Sequence, residues 1–279
     1  MGKKELVYVK GEEFVRKILD GERDFSGIRL EPWFDLNAHP SFNVLWRYFH
    51  RGMLDSEKNP LVLNGSRFIG LKAQDFDVDY LQAEGCLFDR TSLKGSKISD
   101  CNLRNTVFSS GSLENAYISG NLEGVLFRVS RHYKYCTEHP EPDDIIGGVD
   151  SRVDRPLNLE RAHFEGNLKG VDFGGDYANM AGIYLKGDLR GVKFYNQGQL
   201  EGAVFKDADL RGASIDFVSM DVTTSFVNCD LRGVNMHENY IKYANFVHCI
   251  VNPKLKELYN KLQRECDSTR RLSFQVAPN

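Results

Sequence analysis

Large apolar residues recur every five positions along much of this chain. One series runs Leu71, Phe76, Leu81, then Phe88, Leu93, Ile98, Leu103, Phe108, Leu113 and Ile118. A second runs Phe205, Leu210, Ile215, Met220, then Phe226, Leu231, Met236, Ile241, Phe246 and Val251. A helix repeats its face every ~3.6 residues and a strand every ~2, so neither sustains this spacing. The position two residues earlier is mostly small. It holds Cys86, Thr91, Ser96, Cys101, Thr106, Gly111 and Ala116, and later Ala203, Ala208, Ala213, Val218, Thr224, Cys229, Val234, Ala244 and Cys249, with Asn239 the exception. A chain that turns a corner every five residues, four sides to the coil, points both positions inward. The large side chains then stack in columns, the small ones fit near the corners, and successive coils pair as parallel strands about 4.8 Å apart.

Individual units sharpen this pattern: Ala208-Asp209-Leu210-Arg211-Gly212, Cys229-Asp230-Leu231-Arg232-Gly233, Cys101-Asn102-Leu103-Arg104-Asn105 and Ala244-Asn245-Phe246-Val247-His248. They resemble the pentapeptide-repeat family over most of residues 61–127 and 157–251. The resemblance implies an all-β fold, a right-handed quadrilateral β-helix. Steps of four interrupt the series at Ile118 to Leu122, Phe164 to Leu168 and Leu185 to Leu189, within the similar phrases GNLEGVLF, GNLKGVDF and GDLRGVKF. Longer steps, Phe173 to Met180 and Phe194 to Leu200, follow two of them. A short side offset by a long one keeps the columns in register, so these read as irregular corners or bulges.

Outside the repeat the chain divides into an N-terminal cap with first repeats (1–60), an inserted loop (128–156), and a C-terminal helix and tail (252–279). A solenoid leaves raw strand edges at its ends, which caps must cover. Residues 11–20 place Phe14, Val15, Ile18 and Leu19 on one helical face, with Gly21 as a stop and short repeats at Phe25 and Leu30 beyond. SFNVLWRYFHRG forms a short helix carrying Trp46 and Phe49, expected to pack on the solenoid side. Residues 254–266 form an amphipathic helix, introduced by Pro253, with Leu255, Leu258, Tyr259 and Leu262 as its candidate contact residues. Two readings of it stand: a C-terminal cap, or the contact of a homodimer, as the resemblance to gyrase-protecting members implies.

The segment 128–156 breaks the repeat, and loops of that length are usually functional or disordered. Its mixture of Arg131, Tyr133 and Tyr135 with the acidic Asp143 and Asp144 makes these the candidate binding residues. His132, Cys136 and His139 lack a convincing fourth ligand, so no metal is expected. The repeat cysteines sit in the small inward slot and read as core thiols, which fits a reducing compartment. His163, His237 and His248 fall on outward positions without obvious partners. No P-loop, G-x-S-x-G or H-E-x-x-H pattern occurs, and a close-packed solenoid offers no cleft. The expectation is no active site and no cofactor.

The mean hydropathy of -0.42 and the net charge of -3 fit a foldable chain with neither a membrane span nor a global field for nucleic acid. The N-terminus lacks a secretory signal, so the cytoplasm is the expected compartment. The functional reading is a protein-interaction scaffold, monomeric or dimeric through the C-terminal helix, whose partner is another protein. The alternative is a duplex-DNA mimic that binds or protects a type II topoisomerase. Duplex DNA carries a charge every ~1.7 Å, so a rod of ~40 Å needs about 20 negative charges. Residues 61–127 and 157–251 together hold 20 acidic and 15 basic side chains. Mimicry therefore requires the acids to gather on one face. An enzyme built on the 128–156 loop ranks behind both.

Overall fold

A computed structural model of the chain describes residues 5–50, 57–128, 157–174, 178–194, 198–216, 218–237, 243–265 and 273–276. The chain winds into a four-sided parallel β-solenoid, and the sides are named here by the residues of one coil: Gln82, Phe88, Ser92 and Ile98. The Phe88 side is a ten-stranded parallel sheet running from Val7–Val9 and Ile28–Leu30 to Ser214–Ile215 and Asn235–Met236. The Ile98 side is a nine-stranded sheet running from Asp77–Asp79 to Asn245–Val251 and finally Ser273–Val276. The other two sides are columns of bridges. One runs through Asp24, Val62, Gln82 and Asn102, the other through Asp35, Lys72, Ser92, Ser112, Asn158, Asn179, Gln199 and Ser219.

Each side contributes one large side chain to the axis. On the Phe88 side Phe68, Phe88, Phe108, Phe127, Phe173 and Phe194 stack with ring centroids 4.8–5.4 Å apart. Phe127 and Phe173 are adjacent in this stack at 4.9 Å, although the whole of 128–156 lies between them in sequence. The columns therefore continue across the insertion. On the Ile98 side Phe205, Phe226 and Phe246 stack likewise at 4.5 and 5.1 Å. Ring stacking of this kind adds about 0.5–1.5 kcal/mol per pair to the burial itself.

The small slot is chosen for chemistry as well as size. Ser66 Oγ donates to the Phe25 carbonyl at 2.7 Å, Ser96 Oγ to Ala73 at 2.9 Å, Thr224 Oγ1 to Leu200 at 2.8 Å and Cys86 Sγ to Leu63 at 2.9 Å. A hydroxyl or thiol here reaches the carbonyl of the coil before it, a group that burial would otherwise leave costly.

The phase of the first full coil differs from the sequence reading. Lys72 bridges Ser92 and Asp77–Asp79 pairs with Lys97–Ser99, so Leu71, Phe76 and Leu81 occupy the slot held elsewhere by Thr91, Ser96 and Cys101. Ala73, Val78 and Ala83 take the large positions. The two slots share one interior volume, so a large residue in one is compatible with a small residue in the other.

The four-residue steps are glycine corners. Gly120, Gly166 and Gly187 stand in the small slot at φ 128°, 121° and 114°. In five-residue steps of the same corner Asp100, Asp207, Asn228 and His248 make the turn at φ 48–54°. Where the chain returns to five, between Tyr184–Asp188 and Val204–Asp209, the ladder carries a bulge at Lys186/Gly187.

Both ends are covered. Helix α1 (Gly11–Leu19) buries Phe14, Val15 and Ile18 in the core. Helix α2 (Phe42–His50) takes the fourth side of the first coil, where the nine-stranded sheet has not begun, and packs Phe42 and Phe49 on Phe76. Arg23 ties the two helices, donating to the carbonyls of Ile18 and Glu22 and to the Tyr48 hydroxyl. At the other end helix α3 (Pro253–Glu265) sets Leu255 and Leu258 against the core. The tail beyond it returns as a strand, Ser273–Val276, in parallel with Val247–Val251. Nothing in the five-residue pattern announces that strand.

Candidate interaction surface

The outward side chains form columns too, and their charges are paired. In the units Asp188-Leu189-Arg190, Asp209-Leu210-Arg211 and Asp230-Leu231-Arg232 the leucine points inward, so aspartate and arginine project together from the Gln82 side. Arg190, Arg211 and Arg232 each clamp the aspartate two residues before them through Nε and Nη2, with Nε to Oδ1 distances of 2.8, 2.8 and 2.9 Å. Those hydrogen bonds hold all three carboxyls below the usual carboxylate range. Coils are cross-linked in turn, Arg190 Nε lying 3.8 Å from Asp209 and Arg211 Nε 3.8 Å from Asp230. The column continues upstream as asparagines, with Asn167 Nδ2 donating to Asn121 at 3.1 Å and Asn121 Nδ2 to Asn102 at 3.3 Å.

This side carries Asp24, Glu84, Glu123, Asp188, Asp209 and Asp230 against Arg104, Lys169, Arg190, Arg211 and Arg232, so its charges nearly cancel. Acidic residues also occur on the Ser92 side (Glu114, Glu160, Glu201) and the Ile98 side (Asp77, Asp79, Glu165). The acids do not gather on one face.

His163 differs from the sequence reading, which left it without partners. Its ring lies between those of Tyr117 and Tyr184, with centroids 4.6 and 4.3 Å away, and Nε2 is 3.4 Å from Glu165. Glu165 in turn accepts from Lys186 Nζ at 2.7 Å. Partial burial between the tyrosines pushes the imidazole pKa down. His237 and His248 also have interactions.

One corner of the solenoid is unlike the other three. Between the Phe88 and Ser92 sides the early coils turn tightly at Gly70, Arg90 and Ser110, with φ 65°, 53° and 58°. Five residues separate Phe88 from Leu93 and Phe108 from Leu113 across this corner, but three later coils take longer steps: 32 residues from Phe127 to Leu159, seven from Phe173 to Met180 and six from Phe194 to Leu200. The candidate binding residues Arg131, Tyr133, Tyr135, Asp143 and Asp144, and His132, Cys136 and His139, belong to the first of these steps and lie outside the described residues. The N-terminal stretch of the same corner holds Trp33 at φ 64°, 42 % exposed, with the Arg90 guanidinium 5.2 Å from its ring. A Cβ on Gly70 would lie 2.2 Å from the indole, so glycine there admits the ring. Sequence reasoning missed this pair, because Trp33 and Arg90 meet only through the register of three coils.

On α3, Leu255 and Leu258 are half-buried against the core, and Tyr259 and Leu262 lie on the same helix. Cys86 and Cys101 are buried, which pushes both thiols up to about 12. Among the described residues no group of three or more His, Cys, Asp or Glu side chains could hold a metal, and no helix is long and apolar enough to cross a membrane.

The pattern described as pentapeptide repeats matches residues 86–120 in 8 copies. No curated protein sequence matches the chain. Among solved structures, full-length QnrB1, a plasmid-mediated fluoroquinolone resistance protein, is 14% identical and aligns over 72% of this chain and 88% of its own, with a TM-score of 0.48. HetL, a pentapeptide repeat protein involved in heterocyst differentiation regulation from Nostoc sp. strain PCC 7120, is 14% identical over 82% of this chain and 91% of its own, with a TM-score of 0.27. Rfr23, a pentapeptide repeat protein from Cyanothece 51142, is 15% identical over 63% and 94%, with a TM-score of 0.25. Four sides, in-register columns and five-residue units together define the class: this chain is a four-sided parallel β-solenoid of five-residue units, and its residues 86–120 match the pentapeptide-repeat pattern.

Proposed function

We propose that this solenoid is a non-catalytic scaffold that binds another protein along its Phe88–Ser92 corner. The observation that carries the reading is the lengthened step that three coils take at that one corner, beside the exposed Trp33–Arg90 pair. Binding residues are disproportionately found on loops held by a rigid frame, and Trp and Arg are the side chains most enriched at interface hot spots. On the Gln82 side arginines clamp the aspartates and the charges nearly cancel, so the corner is where a partner finds relief and specificity. Within 129–156, Arg131, Tyr133, Tyr135, Asp143 and Asp144 are proposed to make contacts. A cytoplasmic setting is part of the reading, as is the absence of catalysis.

Charge pairing on the Gln82 side weighs against the duplex-mimic form of binding, because the acids nearest a regular spacing are already clamped by arginine. Affinity capture from native lysate tests the proposal, using the full chain, a version lacking 129–156, and Trp33→Ala. The expected result is one specific protein retained by the full chain and lost or weakened in both variants. Equal capture by all three would remove the corner from consideration. Capture of a topoisomerase subunit, with protection of supercoiling activity in vitro, would restore the mimic reading.

A further inference from the structure

Cys229 and Cys249 occupy the same inward slot in consecutive coils. Their neighbours fix the register, since Asp230 bridges Ile250 and Val227 pairs with Val247. In-register residues of adjacent parallel strands lie about 4.8 Å apart, inside the ~4.4–6.8 Å Cα span of disulfide-bonded cysteines. The two thiols sit side by side in adjacent coils. Each also donates to the coil before it, Cys229 Sγ to the Phe205 carbonyl and Cys249 Sγ to the Phe226 carbonyl, both at 3.3 Å. The other buried cysteines have no such partner. Cys86 stands between Ser66 and Thr106, and Cys101 between Leu81 and Gly120. Cys229 also forms part of the floor of a shallow groove between Asp207, Asn228 and His248, which gives a small oxidant a way to the pair.

We propose that Cys229 and Cys249 close a reversible inter-coil disulfide when the protein meets a hydroperoxide. One thiol of the pair loses its proton and that sulfur attacks a peroxide oxygen. The O–O bond breaks, leaving a sulfenic acid and, with hydrogen peroxide as oxidant, one water. The other sulfur then attacks the sulfenic sulfur, its proton leaves with the displaced hydroxide as a second water, and the S–S bond forms. Two thiols are oxidised and one peroxide is reduced. To form it the Cβ atoms must close from about 4.8 Å to under about 4.5 Å, so the bond is slightly strained and of the kind that reductants open readily. It would tie the last two coils together covalently and release them again.

The test treats the folded full chain with hydrogen peroxide and digests it with trypsin without reductant. The expected product joins peptides 212–232 and 243–254 with the loss of two hydrogens, and dithiothreitol separates them. Peptides containing Cys86 and Cys101 stay as free thiols. Amide exchange over 243–251 slows at least threefold on oxidation, and Cys249→Ser abolishes both the linked peptide and the slowing. If that variant fails to fold, the wild-type exchange before and after dithiothreitol supplies the same comparison. Free thiols at both positions, over-oxidation of one sulfur without linkage, or linkage to Cys136 or Cys266 instead would each overturn the proposal.

Discussion

Replacing Gly166 by alanine tests the reading of the four-residue corners most directly. Gly166 turns at φ 121°, where an alanine is strained by about 1–3 kcal/mol. Its Cβ would also lie 2.2 Å from the Gly120 carbonyl oxygen, well inside the 3.0 Å that real Cβ atoms essentially never breach. That oxygen is backbone of the neighbouring coil, so the two coils must part by about 0.8 Å (3.0 − 2.2) or rotate. Either response weakens adjacent ladder hydrogen bonds, at about 1 kcal/mol each. The sum is about 3–5 kcal/mol. Gly170, four residues on, is the control: φ is 67° and nothing lies within 4 Å of the added methyl. Gly170→Ala carries only the left-handed backbone cost of about 1–2 kcal/mol. Urea unfolding followed by circular dichroism should place the Gly166→Ala midpoint below that of Gly170→Ala by about 1 M, taking a slope of ~3 kcal/mol per molar. Equal midpoints would refute the idea that the shortened corner requires glycine because coils meet there backbone to backbone.

Phe194→Ala should be among the most destabilising core changes, at about 3–5 kcal/mol in the same assay, because its ring is fully buried between Phe173 and Phe205. Asp188, Asp209 and Asp230 have carboxyls held down by arginine, so their stabilising contribution is present above the ordinary carboxylate pKa of about 3.9 and fades as pH falls through the lower folded values. Carboxyl-carbon NMR titration should find all three midpoints below the ordinary value, and midpoints at or above it would contradict the clamp. Cys86 and Cys101, with thiols pushed up to about 12, should resist thiol reagents at pH 8 in the folded chain and react once urea unfolds it. Arg23→Leu should cost about 1–3 kcal/mol by freeing the Ile18 and Glu22 carbonyls and the Tyr48 hydroxyl, with faster amide exchange in α1 as its local signature.

Spacing identified the coil and the pair of inward slots, because a period of five has few structural solutions, and the end helices showed instead in their own apolar faces, Phe14 to Leu19 and Leu255 to Leu262. Spacing does not carry phase. At Leu71, Phe76 and Leu81 the size cue pointed to the wrong slot, since Ala73 and Ala83 occupy the other one. The glycine corners were legible because each short step shares the GN or GD phrase, whose small residue the geometry requires. Contacts between coils were not. Tyr117 and His163 are neighbours only because Tyr117–Asn121 pairs with His163–Asn167 across the insertion, and Trp33 meets Arg90 through Gly70. The strand Ser273–Val276 was equally hidden, because its place depends on where α3 directs the chain rather than on any repeat of its own.

The continuity of the Phe127–Phe173 stack has a consequence for how the chain assembles. A solenoid folds by zipping each coil onto the last, and every such step closes a loop. Most neighbouring coils are separated by about 20 residues, as between Asn102 and Asn121 (19) or Asp207 and Asn228 (21), but Asp24 and Val62 are 38 apart and Asn121 and Asn167 are 46 apart. With closure entropy growing as 1.5 RT ln n, these two steps cost about 0.6 and 0.7 kcal/mol more than a regular one. The finished rod is one uninterrupted column, yet its assembly must close two long loops, one beside the N-terminal helices and one after Arg128.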